Sequence, residues 1–169
     1  MSNIEKTTEV QTKFESFSSR TGVICRFRDY NLPRMNLNKT ADLTIAIPSV
    51  RVLKLGPTEK QYFFHVEMAK EYHSDAATIG YSDFQEMLKA FDILESCEEE
   101  DSLEAPDYLE NHFVTEDGFK VGYYISEGKT VWFMNLSRYG TNSSLYMTKS
   151  SLKSVLELAQ AKFIELGAE

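Results

Sequence analysis

Three histidines and two cysteines are the residues of this 169-residue chain with the most direct access to chemistry. His65 sits in a period-two stretch, on the face opposite Phe64 and Val66, which reads as a strand side chain. His73-Ser74-Asp75 places an imidazole beside a carboxylate, but in a loop, where adjacency does not build a dyad. His112 has no Cys or Glu at metal spacing. The chain contains no His-x3-His, Cys-x2-Cys or His-Glu-x-x-His. Cys25 falls on the apolar side of its strand, where a thiol is inert. Cys97 is flanked by Glu95 and Glu98, which raise rather than lower a thiol pKa. The glycines form neither a dinucleotide fingerprint nor a phosphate loop, and no Gly-x-Ser-x-Gly elbow occurs. No catalytic residue, cofactor site or metal site is therefore assigned.

Two other clusters suit binding. Arg26-Phe27-Arg28-Asp29-Tyr30, with Arg20 and Arg34 nearby, interleaves cations and aromatics in the manner that grips phosphate and stacks bases. Tyr123-Tyr124, Arg138-Tyr139 and Tyr146 bring together the residue types that favour protein interfaces. A third candidate is the acidic run Glu98-Glu99-Glu100-Asp101. It lacks the spacing of a calcium loop and reads as a solvated linker or a lure for a basic partner.

The elements that position these groups follow from periodicity. Asn3 to Ser19 is a weak amphipathic helix, and Val23 to Arg28 a strand with Val23, Cys25 and Phe27 inward. A loop follows to Thr40. Strands are expected at Leu43–Ile47 and Val50–Leu55, split by Pro48, then at Tyr62–Met68 and Ala76–Gly80. Ser82, with Gln85 three residues on, caps a helix whose stripe is Phe84, Met87, Leu88, Phe91 and Leu94. Carboxylates oppose the macrodipole at a helix C-terminus, so this helix should stop near Ser96. The order then recurs. Strands are expected at Asn111–Thr115, Phe119–Ile125, Val131–Leu136 and Ser144–Thr148, then a helix with stripe Leu152, Val155, Leu156, Ala159 and Phe163, stopped by Gly167.

The fold class expected is therefore α+β: two tandem antiparallel units of about four strands, each followed by an amphipathic helix, after a short N-terminal helix and strand. The organisation is an N-terminal segment 1–42, a first ββββα unit 43–96, an acidic linker 97–111 and a second unit 112–169, gathered into one domain. Residues 45–95 superimpose on 113–163 at an offset of 68 without a gap. Only Glu59, Ser82 and Leu88 are identical, so the case for internal duplication is the shared order of periods.

Net charge is −8, unevenly spread: +4 over residues 1–60, −8 over 95–110 and zero over 111–169. That local acidity argues against a DNA mimic, whose carboxylates would cover a face. Met1 to Val10 is polar and no apolar run approaches a membrane span, so a cytoplasmic protein with two reduced cysteines is expected. By size, acidity and element order the chain is similar to helix-and-sheet secretion chaperones, a likeness that implies a homodimer and rests on no shared motif. The reading adopted is a small non-enzymatic protein-binding module of inhibitor, immunity or adaptor type. The alternatives are that chaperone-like homodimer, a nucleic-acid binder using the basic N-terminal third, and an enzyme assembled from loop residues such as His73, Asp75 and Arg138.

Overall fold

The computed structural model describes residues 11–39, 43–104, 107–137 and 142–169. Helix α1 (Lys13–Ser18) is closed at its start by a capping box between Thr12 and Glu15. Strands β1 (Cys25–Asn31), β2 (Ile45–Leu55), β3 (Glu59–Ala69) and β4 (Ser74–Gly80) form an antiparallel meander, followed by helix α2 (Tyr81–Leu103). Strands β5 (Tyr108–Val114), β6 (Lys120–Ser126), β7 (Lys129–Asn135) and β8 (Ser144–Met147) form a second meander, followed by helix α3 (Lys149–Glu165). The expected α+β architecture of two four-stranded sheets, each with its helix, is what the chain adopts. No described helix is long and apolar enough to cross a membrane.

Turn chemistry joins the strands as the sequence requires. Glu127 and Gly128 both take positive φ, at 52° and 75°, which makes the two-residue β6–β7 link a type I′ turn matched to strand twist.

Several expected boundaries move. Pro48 does not split β2, and the reason is geometric. Its carbonyl accepts from Leu32 N at 2.8 Å, so its missing N–H points to the same side, beyond Asn31 where β1 has ended. The ladder to β3 therefore loses no donor. Ser82 does not cap α2. Gly80 occupies that position without a side-chain bond, and Gln85 instead donates to Gln160 Oε1 on α3 at 2.6 Å. Helix α2 continues past Ser96 to Leu103, and β5 starts at Tyr108, so most of the expected linker 97–111 is regular structure.

The repeat is real in topology but not gapless. The row Tyr30, Val50, Phe64 and Ile79 across the first sheet corresponds to Asn111, Tyr123, Trp132 and Met147 across the second. From β1 to β4 the offset falls from 81 (30 to 111) to 73 (50 to 123) and then holds at 68 (64 to 132, 79 to 147). The ungapped match holds for the last two strands and the helix, which begins at Tyr81 in one unit and Lys149 in the other.

Each helix also serves the other unit's sheet: α2 packs on β5 and β6 as well as β3 and β4, and α3 packs on β2 as well as β7. One apolar core results, drawn from both sheets and both helices. Phe64 touches Phe84 at 5.2 Å and Phe119 at 6.3 Å, and Phe163 meets Phe84 at 5.0 Å and Tyr81 at 4.7 Å. A second, smaller cluster lies on the other side of the first sheet, where Leu53, Leu55 and Phe63 are covered by Phe14 and Phe17 of α1.

Candidate functional site

Among the described residues, three places gather polar or aromatic side chains outside the core. The first is under α1. Asp29 and Arg51 face each other across β1 and β2, and Arg51 is bidentate on the carboxylate, at 2.7 and 2.9 Å. Its guanidinium lies against two edge-on rings, 4.8 Å from the centroid of Phe14 and 4.3 Å from that of Phe27. Burial works against charge on Asp29, but the Arg51 bond and charge prevail and hold its pKa below the usual range. His65, buried on β3, has Nδ1 at 2.7 Å from Thr78 Oγ1. Its Nε2 lies 3.3 Å from Arg51 Nη2 and 3.1 Å from Glu67 Oε1. When Nδ1 carries the proton it donates to Thr78 and Nε2 accepts from Arg51; when Nε2 carries it, Glu67 accepts. Asp29, His65 and Glu67 offer ligand atoms within 4.8 Å of one another. Arg51 already lies in that group, and its charge opposes a metal cation. The arrangement is a cation held by a carboxylate and two rings, fixing α1 to the sheet.

Burial, joined by the Arg51 charge, outweighs the Glu67 bond and lowers the His65 pKa below its ordinary 6.5. The folded protein therefore refuses a proton that the unfolded chain accepts. Stability present above pH 6.5 should fall as the pH drops below that value. Melting temperatures from pH 7.5 to 5 should fall more steeply for the wild type than for His65→Gln, which has no imidazole to protonate.

The second place is the end of the first sheet beyond α3. Arg26, Arg28 and Tyr30 share a face, and β2 and β3 add Val52, Lys54 and Lys60 to line a depression of about 320 Å³. The expected cluster is thus divided. Phe27 and Asp29 turn to the α1 side, while two lysines distant in sequence join the arginines. Nothing in a period-two reading of β1 alone shows those lysines, because strand register supplies them.

The third place is the outer face of the second sheet. Tyr124 stacks on Tyr108 at 6.0 Å and meets Tyr146 edge-on at 6.3 Å and Phe133 at 6.4 Å. His112, Gly122, Phe133 and Tyr146 form one row across all four strands. Tyr108 and Tyr146 are exposed. The core helices lie on the opposite face, against Tyr123 and Trp132.

Tyr123, expected on this interface, faces the core instead. It is fully buried, with its hydroxyl donating to Asp101 and accepting from Asn111 at 3.2 Å, so it presents nothing to a partner. Burial first, then the Asp101 bond, raises its pKa well above the ordinary phenol value. Its neighbour Tyr124 occupies the outer face instead, one residue on and therefore on the other side of the strand. Arg138 and Tyr139 lie outside the described residues.

The acidic run is structural in part. Glu98 accepts from Trp132 Nε1 at 3.2 Å and from Lys149 Nζ at 2.9 Å, while Glu99 and Glu100 are exposed on α2. Among the described residues, no bond or ion pair joins His73 to Asp75. The Asp75 carboxylate accepts from Ala76 N at 2.8 Å and from Ser143 Oγ. His112 instead meets Glu110, at 2.6 Å.

The class these features define is an α+β protein that uses one sheet-and-helix unit twice, packs each helix on both units and, among the described residues, lays a helix on the outer face of the first sheet. No family model, curated protein or solved structure matches the chain.

Proposed function

We propose that the protein is a non-enzymatic protein-binding module whose docking surface is the outer face of its second sheet. One observation carries this reading: the two units differ in what lies on that face. On the first sheet, α1 lays Phe14 across Phe27 and Phe63, at 5.7 and 5.3 Å, with Phe17 also against Phe63. On the second sheet, no described helix performs that service for Tyr108, Tyr124 and Tyr146. Tyrosines supply large contact area at low entropic cost, and Glu110, His112, Lys120 and Lys129 give the face a polar rim. The occupant that fits is an amphipathic segment of another protein presenting aromatic or aliphatic side chains, as α1 does within the chain.

The test is affinity capture from the native host with wild type and with Tyr124→Ser/Tyr146→Ser. Each tyrosine is expected to behave as an anchor, at about 2 kcal/mol or more. The double variant should then lose a stoichiometric partner while keeping the far-UV spectrum of the wild type. Equal capture by both proteins would sink the proposal. The chaperone-like homodimer uses the same face, and light scattering separates the two readings: concentration-dependent dimerisation abolished by the double variant would make the occupant a second copy.

A further inference from the structure

The basic end of the first sheet carries a separate proposal. Strand register sets Arg26 directly opposite Lys54, and Lys54 directly opposite Lys60, so three cations form one row across β1, β2 and β3. Arg28 stands in the next row, opposite Val52 and Tyr62, and Tyr30 in the row after that. Like charges directly opposite one another on a sheet are destabilising. Among the described residues, none of Arg26, Arg28, Lys54 and Lys60 is in an ion pair, because the nearby acids are turned away. Asp29, between Arg28 and Tyr30, points to the α1 side and is held by Arg51. Glu59, beside Lys60, holds Arg20 at 2.8 Å. The chain thus places four cations and a tyrosine around one depression and holds the neighbouring Asp29 and Glu59 on other partners.

We propose that this face binds single-stranded nucleic acid, with Arg26 and Arg28 on consecutive phosphates, Lys54 and Lys60 adding charge beside them, and a base on the Tyr30 ring. Arginine offers a planar fork that matches phosphate, and lysine adds point charge. Side chains two apart on β1 repeat every 6.8 Å or so, close to the repeat of an extended nucleotide backbone. The one aromatic group lining the depression favours a ligand with bases to stack over an acidic peptide, which has none. A base that stacks on the Tyr30 ring must be unpaired, which favours a single strand over a duplex. The overall negative charge does not oppose this. Of the densest acidity, at the end of α2, Glu98 and Asp101 are turned to the second unit, where they contact Trp132, Lys149 and Tyr123.

The test is fluorescence anisotropy of labelled oligothymidylate, its RNA counterpart and a duplex with the full chain. Neutralising three or four phosphates should weaken single-strand binding roughly 20- to 50-fold between about 50 and about 200 mM salt. Lys54→Glu should weaken it about tenfold or more, with the melting temperature unchanged or raised, because the new carboxylate gives Arg26 and Lys60 a cross-strand partner. Lys60→Ala, at an exposed position, is the second charge variant. Tyr30→Leu should weaken binding about fivefold or more without altering the salt slope, and Tyr30→Phe should restore it. Absence of binding at low salt, binding indifferent to both lysine substitutions, preference for duplex, or equal competition by polyglutamate would each overturn the proposal. The last of these would make the ligand an acidic protein segment.

Discussion

Gly122→Ala is expected to unfold the second sheet. Gly122 lies on β6, opposite His112, and an added Cβ would sit 2.2 Å from the Asn111 carbonyl oxygen and 2.7 Å from His112 Cα. Those are backbone atoms of the neighbouring strand, so no rotamer change relieves the clash. The strands must separate, and the β5–β6 ladder is lost with them. The expected cost exceeds about 4 kcal/mol, and the melting temperature should fall by about 10 °C or more. The same row carries Phe133 and Tyr146, so partner capture through the outer face should disappear as well. A wild-type melting curve would show that β5 can move aside, and would remove the close approach as the reason for glycine here.

Phe163→Ala tests the packing of each helix on both units. Phe163 is fully buried on α3 and its ring touches Phe84 and Tyr81 of α2. Truncation should cost about 3–5 kcal/mol through lost transfer energy and the cavity left behind. Because the core is shared, the loss should not be confined to one unit. Trp132, the chain's one tryptophan, lies in the second sheet against Phe91 of α2. Its fluorescence and the far-UV signal should shift together to the same lower midpoint. Separate midpoints would mean that the units unfold independently and that the shared aromatic chain is not what couples them.

These two residues differ in how visible they are from sequence. Phe163 falls on a 3.6-residue stripe and is readable as core without a structure. Gly122 falls in a strand pattern, and nothing in one dimension shows that another strand passes over it. The binding surfaces divide in the same way. Arg26 and Arg28 are legible because alternation puts them on one face, but Tyr30 falls in an expected loop and joins them only because β1 runs on to Asn31, while Lys54 and Lys60 join through register. Tyr123 and Tyr124 look equivalent as a pair, and only the identity of the buried face separates core from surface.

What the sequence by itself determined are the quantities that depend on near neighbours. Period two gave way to period 3.6 twice, turns fell at Glu127-Gly128 and near Gly118, and two apolar helical stripes followed. Local sterics and side-chain direction set these, and they act over a few residues. The tertiary structure alone decided the length of α2. Its C-terminal carboxylates oppose the helix dipole, a penalty that falls on the last turn. In the folded chain Glu95 meets Lys153, Glu98 meets Lys149 and Trp132, and Asp101 meets Tyr123, all from the second unit. Partners distant in sequence turn a local stop signal into the seam between the units, and no local reading of residues 95–110 contains those partners.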